Sequence, residues 1–334
     1  MKIRNIILAA VIALASLSFS IGVLAQNNRY GMRLKEKDGE LFVSNSRAYR
    51  KLGIDVAKLP DVLVPFKPKI TAYDRKSVRS VVPDTLVYKT NSAGDDLRLL
   101  VYRTSQENAP VVFYIHGGGW RSGSYKSNPA ICKTLAGKYG IAVISIQYTF
   151  ATVPETKMED TIGDCYDAVE YVLSRASEFG IDPDRLGFFG SSAGGHLASC
   201  CAMRFPQTKA LAGWYGAYDL QLTMSHYAPE SNTKRRELLS DFFNGWDSEY
   251  IKSVSPSEMA LKTNNLKFKA VLFEGTADTT IGPGNAETFR KALAKAGNKN
   301  VELVIFENVT HSITRSYAAD EMYLKTIELF NTAL

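Results

Sequence analysis

Cysteine is scarce in this sequence, which has only four in 334 residues: Cys132, Cys165, Cys200 and Cys201. Four cysteines in a chain of this length cannot form the disulfide framework that stabilises small secreted domains. Their spacing also lacks the paired pattern of zinc sites. Because Cys165, Cys200 and Cys201 fall in segments that we expect to be helices packed on the core, we predict buried free thiols.

Charge of one sign is not concentrated anywhere in the chain. The 40 lysines and arginines and the 34 aspartates and glutamates give a net charge of +6, and no long basic run is present. Nucleic-acid binding needs a basic patch or stripe, so this class of function is poorly supported. Internal repeats and low-complexity segments are also lacking. With 45% hydrophobic residues, the composition is that of an ordinary globular protein, and we expect one main domain.

One long hydrophobic run is present, from Ile6 to Ala25, and Lys2 and Arg4 precede it. A short basic segment, an apolar run and a small residue at its end are typical of a secretory signal peptide. We therefore predict that residues 1–25 are cleaved, that the mature protein is secreted or periplasmic, and that it has no stable membrane insertion. The alternative is an uncleaved membrane anchor, since about 20 apolar residues span a bilayer.

Residues 26–84 are polar and irregular, and we interpret them as an N-terminal arm with a helix around Ser44 to Leu52. Strand patterns follow this arm, at Thr85 to Tyr88 and at Leu97 to Tyr102. The residues between these two runs are typical of turns, so the pair predicts a hairpin.

From residue 110 the chain alternates between continuous apolar runs and helical patterns. An apolar run such as Val111 to Ile115, without polar alternation, indicates a strand that is buried on both faces. The alternation predicts an α/β fold, with a mostly parallel central sheet and helices on both faces. The other predicted elements are strands at Ile141–Ile146, from Leu186, and at Leu211–Tyr218, Ala270–Phe273 and Val301–Phe306, and helices at Pro129–Tyr139, Lys157–Phe179, Asn285–Ala296 and Ala319–Phe330.

Residues 221–265 interrupt this alternation, because they are polar and broken, with one short helical pattern at Thr233 to Phe243. An insertion of this size commonly covers the C-terminal edge of a sheet. We predict that it forms a small lid or a pocket wall.

The segment from Leu186 to His196 is an apolar run that breaks into small residues around Ser192. With Gly190 and Gly194, this serine makes the pattern G-x-S-x-G, which is typical of a strand that turns sharply into a helix and exposes the serine hydroxyl. The alternative is a small-residue turn that only connects the two elements. A serine nucleophile also needs a base within hydrogen-bonding distance and a carboxylate that orients this base.

A second glycine-rich segment, H-G-G-G-W, follows the strand at Val111 to Ile115 and runs from His116 to Trp120. Three consecutive glycines cost chain entropy, so a plain turn seldom needs them all. We interpret this loop as one whose backbone N–H groups approach an anion closely. The alternative is a flexible connector.

The candidate base is found by elimination, because the chain has only four histidines. His311 follows the last predicted strand and lies at the sheet edge where Ser192 also emerges, so it is the preferred base. We expect His116 to shape the glycine loop, His196 to be a core or surface residue, and His226 to lie in the predicted lid.

The candidate acid is Asp278, which follows the penultimate predicted strand. This position gives the chain order Ser, Asp, His that hydrolases with a G-x-S-x-G motif have. Asp219, after the strand at Leu211 to Tyr218, is the rival, and Glu274 is the third candidate.

The chain resembles the α/β-hydrolase superfamily, and within it the hormone-sensitive-lipase-like esterases and deacetylases, in its motifs H-G-G-G-W, D-P-D-R-L-G-F-F-G-S-S-A-G-G-H, W-Y-G-A-Y-D-L, E-G-T-A-D and V-T-H. The resemblance covers roughly residues 85–330, and we assign residues 85–334 to an α/β-hydrolase catalytic domain. It implies that Ser192 is the nucleophile, His311 the general base and Asp278 the acid.

The same resemblance implies that backbone N–H groups of Gly117, Gly118 and Ala193 form the oxyanion hole. Each such donor stabilises the transition state by about 3 kcal/mol. Ser191 departs from the family pattern, since many members of the group carry an acidic residue before the nucleophile.

These residues predict an exported serine carboxylesterase that works through an acyl-enzyme and needs no metal or cofactor. The expected substrates are small-molecule or carbohydrate-linked esters with short acyl groups, such as acetyl or aromatic acyl groups. A formamidase or an exopeptidase would use the same side chains, and a non-catalytic binding protein is the alternative from another class. The complete set of three side chains favours an enzyme over a binding protein.

Overall fold

The chain divides into two units, Met1–Pro68 and Lys69–Leu334. The computed structural model describes residues 34–37, 40–43, 70–227, 237 and 239–334. In the first unit, β1 (Leu34–Lys37) pairs with β2 (Glu40–Val43) as an antiparallel hairpin. The predicted signal peptide and the predicted helix at Ser44 to Leu52 lie outside the described residues.

In the described part of the second unit, eight strands form one sheet. They are β3 (Asp84–Thr90), β4 (Asp96–Tyr102), β5 (Ala109–Ile115), β6 (Ala142–Ile146), β7 (Ile181–Ser191), β8 (Thr208–Trp214), β9 (Lys269–Gly275) and β10 (Val301–Phe306). The spatial order is β10-β9-β8-β7-β5-β6-β4-β3. The strands from β6 to β10 in this order pair in parallel, whereas β3 and β4 form the predicted hairpin at one edge.

Helices cover both faces of this sheet, which confirms the predicted α/β fold. They are α1 (Arg75–Ser80), α2 (Pro129–Tyr139), α3 (Met158–Leu173), α4 (Ala176–Phe179), α5 (Ala193–Arg204), α6 (Leu220–Tyr227), α7 (Ser248–Ser253), α8 (Pro256–Leu261), α9 (Asn285–Lys295) and α10 (Ala319–Ala333). Single 3-10 turns lie at Asn244–Trp246 and Ile313–Arg315. Within the described ranges, none of the helices is long and apolar enough to cross a membrane.

The hydrophobic core is split by the sheet into two layers, because neighbouring residues of a strand point to opposite faces. On β5, Phe113 packs in one layer, where its ring stacks on Phe188 of β7 at 5.6 Å between centroids. The next residue, Tyr114, packs in the other layer against Phe189, at 4.7 Å. Every residue of β5 is buried, as the continuous apolar run predicted.

The strand predicted at Leu211–Tyr218 is β8, which begins at Thr208 and ends at Trp214. Two further local details differ from the sequence prediction. The strand predicted from Leu186 begins earlier, at Ile181, because residues Asp182–Arg185 lie inside β7, where the pairing with β5 jumps from Ile181 to Leu186. The helix predicted from Lys157 to Phe179 is interrupted between α3 and α4. In the first case the residues do turn, since the Asp182 carboxylate accepts bonds from the Asp184 N–H and the Arg185 side chain, but the strand resumes on both sides of them.

The segment 221–265, predicted as a lid or pocket wall, contains most of α6 together with α7 and α8. Of the helix predicted at Thr233 to Phe243, residues 233–236 and 238 lie outside the described residues, and residues 237, 239 and 240 are helical. Phe242 and Phe243, at its end, are buried and pack against Trp120 of the glycine loop. A role for this segment as a lid stays a prediction.

Candidate active site

Ser192 lies at the sharp turn between β7 and α5, as its motif predicted. Its backbone has φ 56° and ψ −121°, a conformation that residues other than glycine rarely adopt. The turn is tight because the first turn of α5 lies close to the end of β5. A Cβ atom at Gly194 would lie 2.0 Å from the carbonyl oxygen of Ile115. A glycine is therefore required at this position, and Ser192 is left at the carboxyl edge of the sheet. The neighbouring Ser191 is buried.

His311 and Asp278 continue from Ser192 as a chain of hydrogen bonds. The Ser192 Oγ atom lies 2.7 Å from His311 Nε2, and His311 Nδ1 lies 2.7 Å from Asp278 Oδ2. A carboxylate only accepts, so the Nδ1 proton is donated to Asp278 and Nε2 is left to accept the serine proton. The structure thus brings together the three side chains that the sequence singled out.

Adjacent parallel strands bring the acid and the base together. Gly275 at the end of β9 is in register with Phe306 at the end of β10. The loops that follow are joined by a bond from the Ala277 N–H to the Val309 carbonyl, 3.0 Å in length. Asp278 follows Ala277 directly and His311 is the second residue after Val309, which is why the two side chains meet.

The Asp278 carboxylate is buried and held by several donors. Its Oδ1 accepts from the backbone N–H groups of Thr280 at 2.8 Å and Ile281 at 3.3 Å, while Oδ2 faces His311. These bonds fix the orientation of the carboxylate and, through it, that of the imidazole ring.

The two rival carboxylates stabilise the fold around the site. Asp219 accepts a bond from the Leu222 N–H at the start of α6. Glu274 accepts from the N–H groups of Gly284 and Ala286 at the start of α9, and burial raises the pKa of its carboxyl group. Helix N-termini commonly bind a carboxylate in this way.

The glycine loop lies directly beside the serine. A Cβ atom at Gly117 would be 2.5 Å from the backbone carbonyl oxygen of Ser191 and 3.2 Å from the Cβ atom of Ser192, so only a glycine allows this approach. Gly118 has φ 135°, and its carbonyl accepts from the Ser122 hydroxyl. Among the described residues, the backbone N–H groups of Gly117, Gly118 and Ala193 have no protein acceptor. They are therefore available to a ligand next to the serine.

His116, the first residue of this loop, holds it in place through its side chain. It is buried, its ring stacks on Tyr148 at 4.4 Å between centroids, and its Nδ1–H donates to the Gly117 carbonyl at 2.8 Å. The Tyr148 hydroxyl donates to the backbone carbonyl of His116 at 2.9 Å. Burial lowers the pKa of His116 to about 4, so the ring is neutral near pH 7.

Sequence reasoning missed two residues that hold the site together. The Tyr215 ring packs edge-on against His311, with 5.1 Å between centroids. The buried Asn285 amide donates to the Ile281 carbonyl at 2.7 Å and accepts from the Asp219 N–H at 2.9 Å, so it connects the Asp278 loop to the start of α6. The W-Y-G-A-Y-D-L motif contains Tyr215, but Asn285 has no signal in the sequence.

The cysteines and the possible metal ligands were the other candidates for chemistry in the sequence. The four cysteines are buried with free thiols, as predicted, and burial raises the pKa of Cys132 and Cys200. No cluster of three or more histidine, cysteine or acidic side chains able to hold a metal occurs in the described ranges. The side chain of His226 lies outside the described part.

A family model described as alpha/beta hydrolase fold matches residues 112–315. The chain therefore belongs to this family, which confirms the resemblance found in its motifs. The matched segment contains the glycine loop, the serine turn, Asp278 and His311.

Several curated proteins that the chain is similar to are named as esterases. A protein of Arabidopsis thaliana described as a probable isoprenylcysteine alpha-carbonyl methylesterase is 29% identical over 236 residues, which are 65% of this chain and 54% of that protein. An arylesterase of Saccharolobus solfataricus is 36% identical over 96 residues, which are 29% of this chain and 31% of that protein. The chain spans about half the length of the curated relatives that it matches first.

A solved structure that the chain is similar to is also that of an esterase. The butyrate-bound structure of a thermophilic esterase from Thermogutta terrifontis matches with a TM-score of 0.60 and 27% identity. The match covers 75% of this chain and 92% of that one.

Acid will destabilise the fold through His116 and His196, because burial lowers the pKa of each ring from 6.5 to about 4. Below pH 6.5, the histidine pKa in the unfolded chain, each ring binds a proton in the unfolded chain but stays neutral in the folded protein. The free energy of unfolding therefore falls as the pH falls from 6.5 to about 4. At higher pH both states are neutral at these rings, and the contribution is constant. Thermal melts across this range should show a smaller loss in His196→Gln than in the wild type, and equal losses would contradict the assignment.

Proposed function

We propose that this protein is a serine carboxylesterase in which Ser192 is the nucleophile, His311 the general base and Asp278 the orienting acid. The observation that carries this proposal is the chain of 2.7 Å hydrogen bonds from Ser192 Oγ through the His311 ring to Asp278, beside the unpaired N–H groups of the glycine loop. Esterases among the named relatives and solved structures support the ester as the substrate bond.

In the acylation step, the Ser192 hydroxyl attacks the ester carbonyl carbon while its proton moves to His311 Nε2. The imidazolium that forms is stabilised by the Asp278 carboxylate at Nδ1. Because the serine and the histidine are already 2.7 Å apart, little reorganisation precedes the transfer.

The negative oxygen of the tetrahedral intermediate is stabilised by the N–H groups of Gly117, Gly118 and Ala193. The first two come from the loop after β5 and the third from the N-terminus of α5, whose dipole also favours negative charge. His311 then donates its proton to the leaving alcohol oxygen, and the acyl group stays on Ser192.

Deacylation repeats these steps with water. His311 takes a proton from the water molecule, the hydroxide attacks the acyl-enzyme, and the same N–H groups stabilise the second tetrahedral intermediate. The carboxylic acid leaves, and the proton returns to Ser192.

The proposed substrates are esters with short acyl groups, including acetyl esters of carbohydrates. Butyrate in the related Thermogutta terrifontis structure supports a short acyl group. The proposed export favours extracellular esters, of which acetylated carbohydrates are one class. A panel of 4-nitrophenyl esters of rising chain length, with acetylated sugars and matched amides, tests this choice, because an enzyme that turns over only amides would contradict it.

Substitution Ser192→Ala should lower kcat on 4-nitrophenyl butyrate by roughly 10³ or more, since it removes the nucleophile. The measurement is the initial rate of nitrophenol release, with circular dichroism to show that the fold is kept. The matched control is Ser191→Ala, which should retain most of the activity. If Ser192→Ala keeps the wild-type rate, the nucleophile is a different residue.

The acid is tested by two isosteric variants. Asp278→Asn should lower kcat by roughly 10³ or more, because an amide cannot stabilise the imidazolium and favours the wrong tautomer. Asp219→Asn should have little effect, since asparagine also binds helix N-termini well. Kinetics of both purified variants decide between them: a loss confined to Asp219→Asn would show that Asp278 is not the acid.

We also propose that the protein is exported, on the basis of the hydrophobic run from Ile6 to Ala25. The full chain expressed in a Gram-negative host should appear in the periplasm or the medium, with Gln26 as its N-terminal residue. Fractionation and N-terminal sequencing make this measurement. A membrane-bound product that retains Met1 would instead identify the run as an anchor.

A further inference from the structure

His196 was expected to be an ordinary core or surface histidine, and the structure places it between the two segments that surround Ser192. It lies on α5, one turn after the serine, and is 0% exposed. Its Nδ1 atom lies 3.3 Å from Nε1 of Trp120, and its Nε2 atom lies 2.8 Å from the Val254 carbonyl oxygen. Both ring nitrogens are therefore occupied within the protein.

The chemistry of the two partners determines the tautomer of His196. An indole N–H only donates, so Nδ1 must accept the bond from Trp120. A carbonyl only accepts, so Nε2 must carry the proton and donate it to Val254. The ring has to be neutral for both bonds to exist, and its complete burial keeps it so.

Trp120 is the last residue of the glycine loop, and its side chain anchors that loop. The residue is 1% exposed and has φ 56°. Its ring packs edge-on against His196 at 5.5 Å and against Phe243 at 5.7 Å, and its carbonyl accepts from the Ala151 N–H at 2.8 Å. Only one residue, Gly119, separates Trp120 from Gly118.

The donors of the proposed oxyanion hole come from two separate segments. Gly117 and Gly118 lie on the loop that ends at Trp120, whereas Ala193 lies on the helix that contains His196. The hydrogen bond between Trp120 and His196 is thus a direct side-chain connection between these segments.

We infer that His196 is a positioning residue, which through its bond to Trp120 holds the N–H groups of Gly117 and Gly118 in register with that of Ala193. This inference rests on the proposed function, because it assigns a role in the same oxyanion hole. The oxyanion hole stabilises the transition state, in which negative charge develops on the substrate oxygen, and contributes little to substrate binding. A displaced glycine loop should therefore lower kcat and leave KM nearly unchanged.

Two substitutions separate the bonds that His196 makes. In His196→Asn the amide oxygen occupies about the position of Nδ1, so the bond from Trp120 is kept and the bond to Val254 is lost. In His196→Gln the amide nitrogen occupies about the position of Nε2, so the bond to Val254 is kept and the bond from Trp120 is lost. Both variants lose the imidazole ring, so each is the packing control of the other.

The experiment measures kcat and KM on 4-nitrophenyl butyrate for both variants. We expect kcat of His196→Gln to fall about tenfold or more, with KM within about twofold, and His196→Asn to stay within about threefold of the wild type. Trp120→Phe, which removes the same donor, should reproduce the loss of His196→Gln, and the double variant should lose no more than the larger single loss. Ser199→Ala, which removes another buried hydrogen bond on α5, should leave kcat unchanged.

Equal losses in His196→Asn and His196→Gln, or a larger loss in His196→Asn, would overturn the inference, because packing or the Val254 bond would then be responsible. If neither variant folds by near-ultraviolet circular dichroism, Trp120→Phe decides, and an unchanged kcat there overturns the inference. Activity that survives Ser192→Ala would refute the proposed function itself. A loss of activity in Ser192→Ala combined with equal kcat values at position 196 would refute only the role of His196.

Discussion

The backbone of Ser192 is the constraint around which the site is built. Its φ of 56° and ψ of −121° cost about 1–3 kcal/mol relative to an ordinary conformation, and surrounding contacts must offset this cost. Its N–H donates to the Trp214 carbonyl at 2.9 Å, and its own carbonyl accepts from the His196 N–H at 3.2 Å. The strained turn projects the hydroxyl from the sheet edge towards His311 and places it beside the N-terminus of α5.

Much of this arrangement could be predicted from the sequence, because it follows from local patterns and from strand order. Continuous apolar runs indicated the central strands, and parallel strands place their carboxyl ends on one edge, where Ser192, Asp278 and His311 were expected. Asp278 was preferred over Asp219 on chain order alone. In the structure the carboxylate that contacts His311 is that of Asp278, because Asp278 follows the strand next to the one that precedes His311.

Other features depend on contacts that no local pattern encodes. Trp120 and His196 are 76 residues apart in the chain, and only the packing of α5 beside the loop after β5 brings their ring nitrogens together. Asn285 is likewise 66 residues from Asp219. The residues Asp182–Arg185 have strong turn propensity, yet pairing with β5 resumes at Leu186, so the strand is longer than its sequence predicts. The turn does form, and tertiary pairing continues the strand on both sides of it.

The crystal structure of an organophosphonate adduct tests the central claim most directly, because the phosphorus centre mimics the tetrahedral intermediate. The account predicts phosphorus bonded to Ser192 Oγ, with its negative oxygen about 2.7–3.1 Å from the N–H groups of Gly117, Gly118 and Ala193. Phosphorus on Ser191 or on another residue, or an oxygen directed away from these groups, would contradict it.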